Sequence, residues 1–361
     1  NSRRLAMKED RKISFKNKSI FVGIDVHKKS WKVCIIFEGI EHKFISQAPS
    51  AEILGKTLRH TFPGGKYYSV YEAGFCGFSV HEALKAEGIN NIVVNPADVP
   101  TTDKEKKRKT DRVDCRKLAR CLSRGDLQSI NIPEKEKQED RSLVRLRRTM
   151  VKDQTRDKNR IKSAISCYGI IISDEKAESH WSKKYIECLR EELKSLGSLS
   201  TTIELLLEDM MSKRKRVADV TRKIRELAKN PKYSRKVEIL MTIPGVSILT
   251  AMTILTEFGD LKQYNRLDKL VSYVGLTPNE SSSGEKENKL SMTKRGNKFL
   301  KHVIIESAWT AVRKDPSLML AYSKYSKHTL KTKAIVKIAR KLLSRIRYVL
   351  LKEEDYRILT V

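Results

Sequence analysis

The sequence predicts an α/β domain over residues 15–130, a helical linker and coiled-coil arm over 131–232, and a mostly α-helical domain over 233–355. Short apolar runs alternate with amphipathic segments in the first part, a heptad repeat marks the second, and helical apolar spacing marks the third. With 361 residues, 39% of them hydrophobic, the chain is long enough for two or three packed cores.

The order of strands and helices in residues 15–130 predicts the α/β domain. "SIFVGIDVHKKSWKVCIIFEG" indicates two strands joined by a turn at 27–30, and "HKFISQA" indicates a third. Helices are predicted at "AEILGKTLRHTF" and "GFSVHEALKAEG", and strands at "KYYSVYEAG" and "NNIVVNPAD". A basic helix, "DRVDCRKLARCLSRG", completes the order β-β-β-α-β-α-β-α, which is typical of a mixed sheet flanked by helices.

The arm is predicted from helical signals and a heptad pattern. Pro133 fits the first turn of a long charged helix that runs to about Tyr168. Further on, apolar residues recur every seven positions in two sets, which form the two seams of a heptad repeat. Lys213 interrupts the second set. The seams comprise Leu196, Ile203, Met210, Val217 and Ile224, and Leu199, Leu206, Val220 and Leu227. This pattern predicts a coiled-coil-like arm that dimerises or spaces the domains; the alternative is an amphipathic helix packed on its own domain.

The third part is predicted to be helical because residues 234–351 carry apolar residues at helical spacing, as in "DKLVSYVGL" and "KAIVKIARKLLSRIRYVLL". Between two of these helices, "TPNESSSGEKENKLSMT" has no apolar periodicity, which predicts a polar loop.

The charge balance predicts a polyanionic partner. Lys and Arg number 74 against 44 Asp and Glu, a formal charge of +30, which favours nucleic acid first and an anionic membrane surface second. No stretch approaches the roughly 18 apolar residues of a membrane span, and the first residues lack the apolar core of a signal peptide. We therefore expect a cytoplasmic, nucleoid-associated protein with no membrane partner. Six cysteines without a C-x-x-C pair argue against a zinc site or a disulfide framework.

Four acids are candidate metal ligands. Asp25 lies in an apolar strand, where a carboxylate is costly unless it is paired or coordinates something, and Glu72 ends a later strand. Asp111 and Asp114 share one face of the basic helix. Two divalent cations about 4 Å apart need several carboxylates, so this set fits two Mg²⁺ or Mn²⁺ ions. His27 stands in the turn after Asp25, where a histidine more often has no ligand role.

A simpler interpretation is that the helical acids only stabilise their own helix. Asp111 would pair with Lys107 or Arg108 or act as the N-cap, and Asp114 would pair with Lys117. In the functional interpretation, the surrounding cations hold a nucleic-acid backbone while the acids hold metal. The candidate nucleic-acid-binding residues are Lys107, Arg108, Lys109, Arg112, Arg116, Lys294, Arg295 and Lys298.

These segments resemble a known family. "GIDVHKKSWKV", "YEAG" and "KTDRVDCRKLA" are similar to the signature blocks of the DEDD transposases of bacterial insertion sequences, the insertion-sequence 110 family. "TIPGVSILTA" and "GLTPNESSSGEKENKLSMTKRGNKFLK" are similar to its later blocks, so the resemblance spans nearly the whole chain. It implies an α/β RNase H-like (RuvC-like) N-terminal domain in which Asp25, Glu72, Asp111 and Asp114 form the metal-binding DEDD set.

The serine-rich segment is the second candidate site. From the residues alone, it either offers a hydroxyl to a phosphodiester held by nearby cations or is an ordinary flexible loop. The resemblance implies that the serine just before glycine is the nucleophile, which selects Ser283 and leaves Ser282 and Ser281 as alternatives. It further implies a structured non-coding guide RNA, the bridge RNA, that selects donor and target DNA, and a homo-oligomer, dimer or tetramer.

The leading hypothesis is therefore a DNA transposase or recombinase that is metal-dependent and forms a transient covalent serine–DNA intermediate. One alternative is a RuvC-like structure-selective endonuclease, such as a Holliday-junction resolvase, that uses water and forms no adduct. The other is a non-catalytic nucleic-acid-binding protein, in which the acids affect only stability or affinity.

Overall fold

The computed structural model describes residues 14–102, 110–170, 181–259, 261, 264, 266–283, 286–293 and 295–358, and between 279 and 291 it describes the backbone alone. The chain forms two compact units that divide between Ile132 and Pro133. Within the described residues, no helix combines the length and the apolar character needed to cross a bilayer.

The first unit is built on a five-stranded mixed sheet of order β3-β2-β1-β4-β5. The strands are β1 Ser19–Val26, β2 Trp31–Phe37, β3 Ile40–Gln47, β4 Lys66–Glu72 and β5 Asn90–Val94. Strands β1, β2 and β3 pair antiparallel, whereas β4 runs parallel to both β1 and β5. The predicted mixed α/β domain is confirmed.

Three helices cover this sheet: α1 Ala51–Thr61, α2 Ser79–Ala86 and α3 Asp111–Arg124. Helix α3 packs against β1, β2 and β4. Its closest approach is at Gly23 of β1, where an added methyl group would clash with the carbonyl oxygen of Cys115 and lie 2.5 Å from the amide nitrogen of Ala119. The missing side chain at Gly23 therefore lets the helix backbone rest directly on the strand that carries Asp25.

The start of α3 corrects one sequence-based alternative. Thr110 is the N-cap, and its hydroxyl accepts a hydrogen bond from the amide of Val113 at 3.3 Å. Asp111 is instead the first helical residue, so the capping role considered for it is wrong. The helix ends at Gly125, whose φ of 76° is the left-handed conformation that glycine adopts readily.

The second unit is mostly helical, as predicted. Its helices are α4 Lys135–Cys167, α5 Lys183–Leu193, α6 Ser198–Leu227, α7 Ser234–Met241, α8 Ile248–Glu257, α9 Leu267–Val274, α10 Lys298–Lys314, α11 Pro316–Ser326 and α12 Lys331–Lys352. The N-cap of α4 is Glu134, so Pro133 precedes the helix instead of occupying its first turn.

The serine-rich segment is a β-hairpin, and the predicted loop is wrong. Strands β6 Pro278–Ser283 and β7 Lys286–Met292 pair antiparallel, with Ser283 opposite Lys286. Backbone hydrogen bonds hold such a ladder whatever the side-chain pattern, so the missing apolar alternation concealed it. The two residues between the strands lie outside the described residues.

Part of the heptad seam of α6 packs against another helix of the same chain. Ile203 and Met210 of the first seam are buried in one cluster with Ile161 and Ile165 of α4, and so is Leu207, which lies beside the predicted seams. The two helices make the most extensive helix–helix contact among the described elements. This packing favours the alternative of an amphipathic helix on its own domain for these seam positions. The division of the second unit near residue 232 into an arm and a C-terminal domain stays a prediction.

The interruption of the heptads at Lys213 also has a structural reason. Its Nζ lies 2.6 Å from Oδ2 of Asp157 on α4, and the Asp157 side chain is almost fully buried. Arg160 contacts the other carboxylate oxygen at 3.1 Å. A buried carboxylate between two helices requires such a partner, so the lysine occupies a seam position to neutralise it.

Candidate active site

Two adjacent strand ends bring the first pair of acids together. Ile24 of β1 lies opposite Tyr71 of the parallel strand β4, so Asp25 and Glu72, the next residues, sit side by side at the same edge of the sheet. Both line one cavity of about 430 Å³. The carboxyl ends of parallel strands are a common place for functional side chains because they open at one edge.

The first turn of α3 adds the second pair. Asp111 and Asp114 line the same cavity as the two strand acids. Asp114 also forms the predicted pair with Lys117, at 3.3 Å from its buried ammonium group. The partners considered for Asp111, Lys107 and Arg108, lie outside the described residues. The structure therefore gathers all four predicted acids around one space.

His27 belongs to this cluster as well, contrary to the expectation for a turn histidine. Its Nε2 lies 3.1 Å from Oδ2 of Asp25 and 3.7 Å from Oδ2 of Asp111. One ligand atom from each of these three residues falls within 4.8 Å of the others, a grouping able to hold a metal ion. The only sequence signal for it was its position directly after the strand of Asp25.

The surroundings of Asp25 disfavour its ionised form. Burial raises the pKa of Asp25, and the charges of Asp111 and Asp114 raise it further, whereas His27 lowers it. The net effect is a pKa above the ordinary value, mainly because burial disfavours the ionised carboxylate, with a smaller contribution from the neighbouring carboxylates. A bound cation would remove this repulsion, so the electrostatics fit a metal site.

The donor chemistry fits the expected metals. Carboxylate oxygens are the ligands that Mg²⁺ and Mn²⁺ prefer in proteins. The imidazole nitrogen of His27 suits Mn²⁺ better than Mg²⁺. Asp25, His27 and Asp111 supply the closest set of donor atoms, with Glu72 and Asp114 at the same cavity.

The serine candidates lie in the other unit. Ser281, Ser282 and Ser283 pair with Asn288, Glu287 and Lys286, so Ser283 forms the last pair before the hairpin turn. The base of the hairpin is fixed where Gly275 and Gly296 cross: a methyl group on Gly296 would lie 2.6 Å from the Cα atom of Gly275. The amide of Asn297 also donates to the carbonyl oxygen of Tyr273 at 2.8 Å.

Comparison with known families supports the sequence resemblance. A transposase model of the IS110 DEDD type matches residues 22–169, which contain all four acids. The model described as the transposase IS116/IS110/IS902 family matches residues 237–324, which contain the serine hairpin. The chain belongs to the IS110 family of transposases. It is accordingly a DNA transposase.

Individual relatives of this IS110-family transposase extend the match over most of the chain. It is 25% identical to the transposase for insertion sequence element IS1111A of Coxiella burnetii, over 86% of this chain and 82% of the relative. It is 26% identical to the putative transposase y4rJ of Sinorhizobium fredii, over 90% of each chain. The putative transposase y4qE of the same organism is also 26% identical, over 80% and 71%.

The predicted nucleic-acid-binding residues of the transposase fall into three groups. Arg112 and Arg116 both pair with Glu41 of β3, so part of their charge is neutralised within the first unit. Arg295 and Lys298 are exposed at the end of the hairpin segment and the start of α10. Lys107, Arg108, Lys109 and Lys294 lie outside the described residues.

A buried carboxylate that the sequence did not reveal ties the hairpin base to the helices of the transposase. Glu257 at the end of α8 accepts hydrogen bonds from Arg145 of α4 at 2.6 and 2.8 Å. Asn297 donates to the same carboxylate at 2.8 Å, and its side-chain oxygen caps α10. Tyr273 donates to the backbone carbonyl of Glu257 at 3.0 Å.

Replacing this carboxylate is expected to destabilise the second unit. Burial raises the pKa of Glu257, but Arg145, Asn297 and Arg141 outweigh it and hold the pKa below its ordinary value. The stabilisation is therefore present above the unfolded pKa of about 4.3 and is lost as pH falls through the lower folded value. At neutral pH, Glu257→Gln should cost about 1.5–3 kcal/mol, because it replaces the hydrogen bonds that Arg145 and Asn297 donate to a carboxylate with weaker ones to a neutral amide.

Urea denaturation of the full chain at pH 7 and below pH 4 measures this effect. Glu238→Gln is the control, because that exposed carboxylate of α7 lies 3.7 Å from Arg235 and should contribute under about 1 kcal/mol. The difference between the two variants should shrink in acid. Equal stability of both variants at pH 7 would contradict the assignment of Glu257 to the hairpin base.

Proposed function

We propose that this transposase cuts and rejoins DNA by a metal-assisted attack of a serine hydroxyl on the scissile phosphate. The observation that carries the proposal is the convergence of Asp25, Glu72, Asp111 and Asp114 on one cavity. The order β3-β2-β1-β4-β5, with three antiparallel strands followed by two parallel ones, supports an RNase H-like (RuvC-like) first unit.

The acids would hold one or two divalent cations, Mg²⁺ or Mn²⁺. When bound, such a cation polarises the phosphate and stabilises the charge that develops on its oxygens. The residues of the chain orient the metal and the DNA: Asp25 and Glu72 from the sheet edge, and Asp111 and Asp114 from α3. Lys117 limits the mobility of Asp114 by pairing with it.

Ser283 would supply the attacking oxygen. Its Oγ forms a bond to phosphorus as the bond to the leaving DNA oxygen breaks, and the hydroxyl proton is released while the leaving oxygen gains one. One phosphodiester replaces another, so the energy of the broken linkage is retained. Attack by the hydroxyl of a second DNA end reverses the step, joins the new strands and restores the serine. Ser282 and Ser281 remain alternatives for this role.

The proposal includes a guide RNA and an oligomer. The family resemblance supports a structured bridge RNA that pairs with donor and target DNA, and the formal charge of +30 suits binding of both nucleic acids. The acids belong to one unit and the serine to the other, so the reaction requires both units at one phosphate, from a single chain or from two protomers of a homo-oligomer.

A metal titration tests the acid cluster directly. Purified full-length protein should bind Mn²⁺, and Asp25→Asn should weaken this binding by at least about tenfold, because even residues that only support ligands contribute about 10–100-fold. Asp126→Asn, a change at an exposed acid in the same unit, is the matched control and should leave affinity unchanged. Electron paramagnetic resonance of free Mn²⁺ gives both affinities. Equal binding by wild type and Asp25→Asn would refute the metal site.

A further inference from the structure

A basic groove in the second unit has no assigned role. It lies between α4, α8 and α10 and encloses about 540 Å³. Arg147, Arg148 and Lys152 of α4 line one side, and His302 of α10 lines the other. The remaining lining is apolar or carries threonine hydroxyls, and no acidic residue is among the described residues that line it.

Arg147 is the most informative member. It is partly buried, and its one described hydrogen bond is from Nε to the hydroxyl of Thr221, at 2.7 Å. Burial lowers its pKa, and the positive charge of Arg225 lowers it further. Arg145, two residues earlier, shows the usual arrangement, with its guanidinium on the carboxylate of Glu257. A partly buried arginine that faces another cation instead of a carboxylate leaves donors available for an external anion.

Of the two neighbouring cations, Arg148 is held by a described contact and Lys152 is exposed. The guanidinium of Arg148 lies over the ring of Phe299, 4.4 Å from its centroid, a cation–π contact that fixes it above the first turn of α10. Lys152 is one helical turn further along α4, so the two side chains share one face. The groove thus presents two guanidinium groups held by described contacts and one exposed lysine, with no acidic residue among its described lining.

We propose that this groove binds the phosphate backbone of DNA through Arg147, Arg148 and Lys152. Transposases act on DNA, which makes DNA the polyanion of first choice. Helix α10 follows β7 along the chain, so Phe299 and His302 belong to the segment that leaves the serine hairpin. The groove would therefore hold the strand that the hairpin attacks. That placement rests on the proposed function, whereas the DNA binding itself does not.

Salt-dependent DNA binding tests the proposal. A short labelled duplex of arbitrary sequence is titrated with full-length protein carrying Ser283→Ala, so that no strand is cut. Two lost phosphate contacts should lower the slope of log affinity against log salt by about two, on the order of 50-fold in affinity near 0.1 M salt. We expect this for the double change Arg148→Ala and Lys152→Ala. The control, Lys333→Ala with Lys341→Ala, removes two exposed lysines of α12 that do not line the groove, and should change the slope by less than about one.

Arg147→Gln separates a binding role from a structural one. Removal of a partly buried charge that lacks a carboxylate should leave the melting temperature unchanged or raise it, while DNA affinity falls. A lower melting temperature with unchanged affinity would mark Arg147 as a structural residue and overturn its assignment.

Two other results would overturn the groove assignment. One is a groove double variant that matches the lysine control in affinity and slope; the other is a loss of affinity for a hairpin RNA probe with unchanged affinity for the duplex. Failure of the proposed serine chemistry can be distinguished from failure of the groove assignment. If the protein with Ser283 intact forms no serine–DNA adduct but the groove variants still lose DNA binding, only the proposed chemistry fails.

Discussion

Asp111→Asn is expected to reduce DNA strand cleavage by at least about a thousandfold. Asp111 contributes a carboxylate oxygen within 4.8 Å of the donor atoms of Asp25 and His27. A metal that polarises the scissile phosphate contributes several kcal/mol to transition-state stabilisation, and about 4 kcal/mol corresponds to a factor of about a thousand in rate. Single-turnover cleavage of element-end DNA, with the adjacent non-coding RNA and Mg²⁺, measures the change.

The matched control for this assay is Asp126→Asn, which removes the same charge from the same unit outside the cavity. It should cleave at the wild-type rate. Asp111 is half exposed and is not the N-cap of its helix, so its replacement should leave the fold intact, which circular dichroism checks. Full cleavage activity in Asp111→Asn would mean that the catalytic metal does not depend on this cluster.

Ser283→Ala is expected to abolish the covalent protein–DNA intermediate altogether. Alanine keeps the backbone pairing of the hairpin but removes the hydroxyl oxygen of residue 283, which would attack phosphorus. Wild-type protein should yield a species that survives denaturation and carries labelled DNA. Ser281→Ala and Ser282→Ala are the natural comparisons, because they occupy neighbouring positions of the same strand. An adduct that persists in Ser283→Ala but disappears in one of these would move the nucleophile along the strand.

The acid cluster was predictable because its signals are local. Asp25 stands out as a charge in an apolar strand, Glu72 marks the end of another strand, and the spacing of Asp111 and Asp114 places them on one helical face. Parallel strands open at one edge, so their ends converge without further information. Thr110 as the cap of α3 was also available from the sequence, since threonine is a favoured N-cap.

What the sequence did not reveal depends on contacts between distant segments. Nothing near Glu257 indicates that Arg145, more than a hundred positions earlier, will pair with it. In the sequence, Lys213 only interrupts the heptad pattern. The structure shows the reason, because Asp157 of α4 lies opposite it. His27 belongs to the acid cluster because the turn after β1 places its ring near Asp25 and Asp111. The family resemblance, and not periodicity, made Ser283 the leading serine, because the hairpin lacks the apolar alternation that marks most strands.

The measurement that tests the central claim most directly is to identify the residue joined to DNA. Wild-type protein is incubated with element-end DNA, the adjacent RNA and Mg²⁺, denatured, and digested with nuclease and protease. Mass spectrometry then locates the attached nucleotide. We predict that it is found on Ser283 and is absent from Asp111→Asn. Cleaved DNA without any nucleotide-bearing peptide would contradict the account and identify water as the nucleophile.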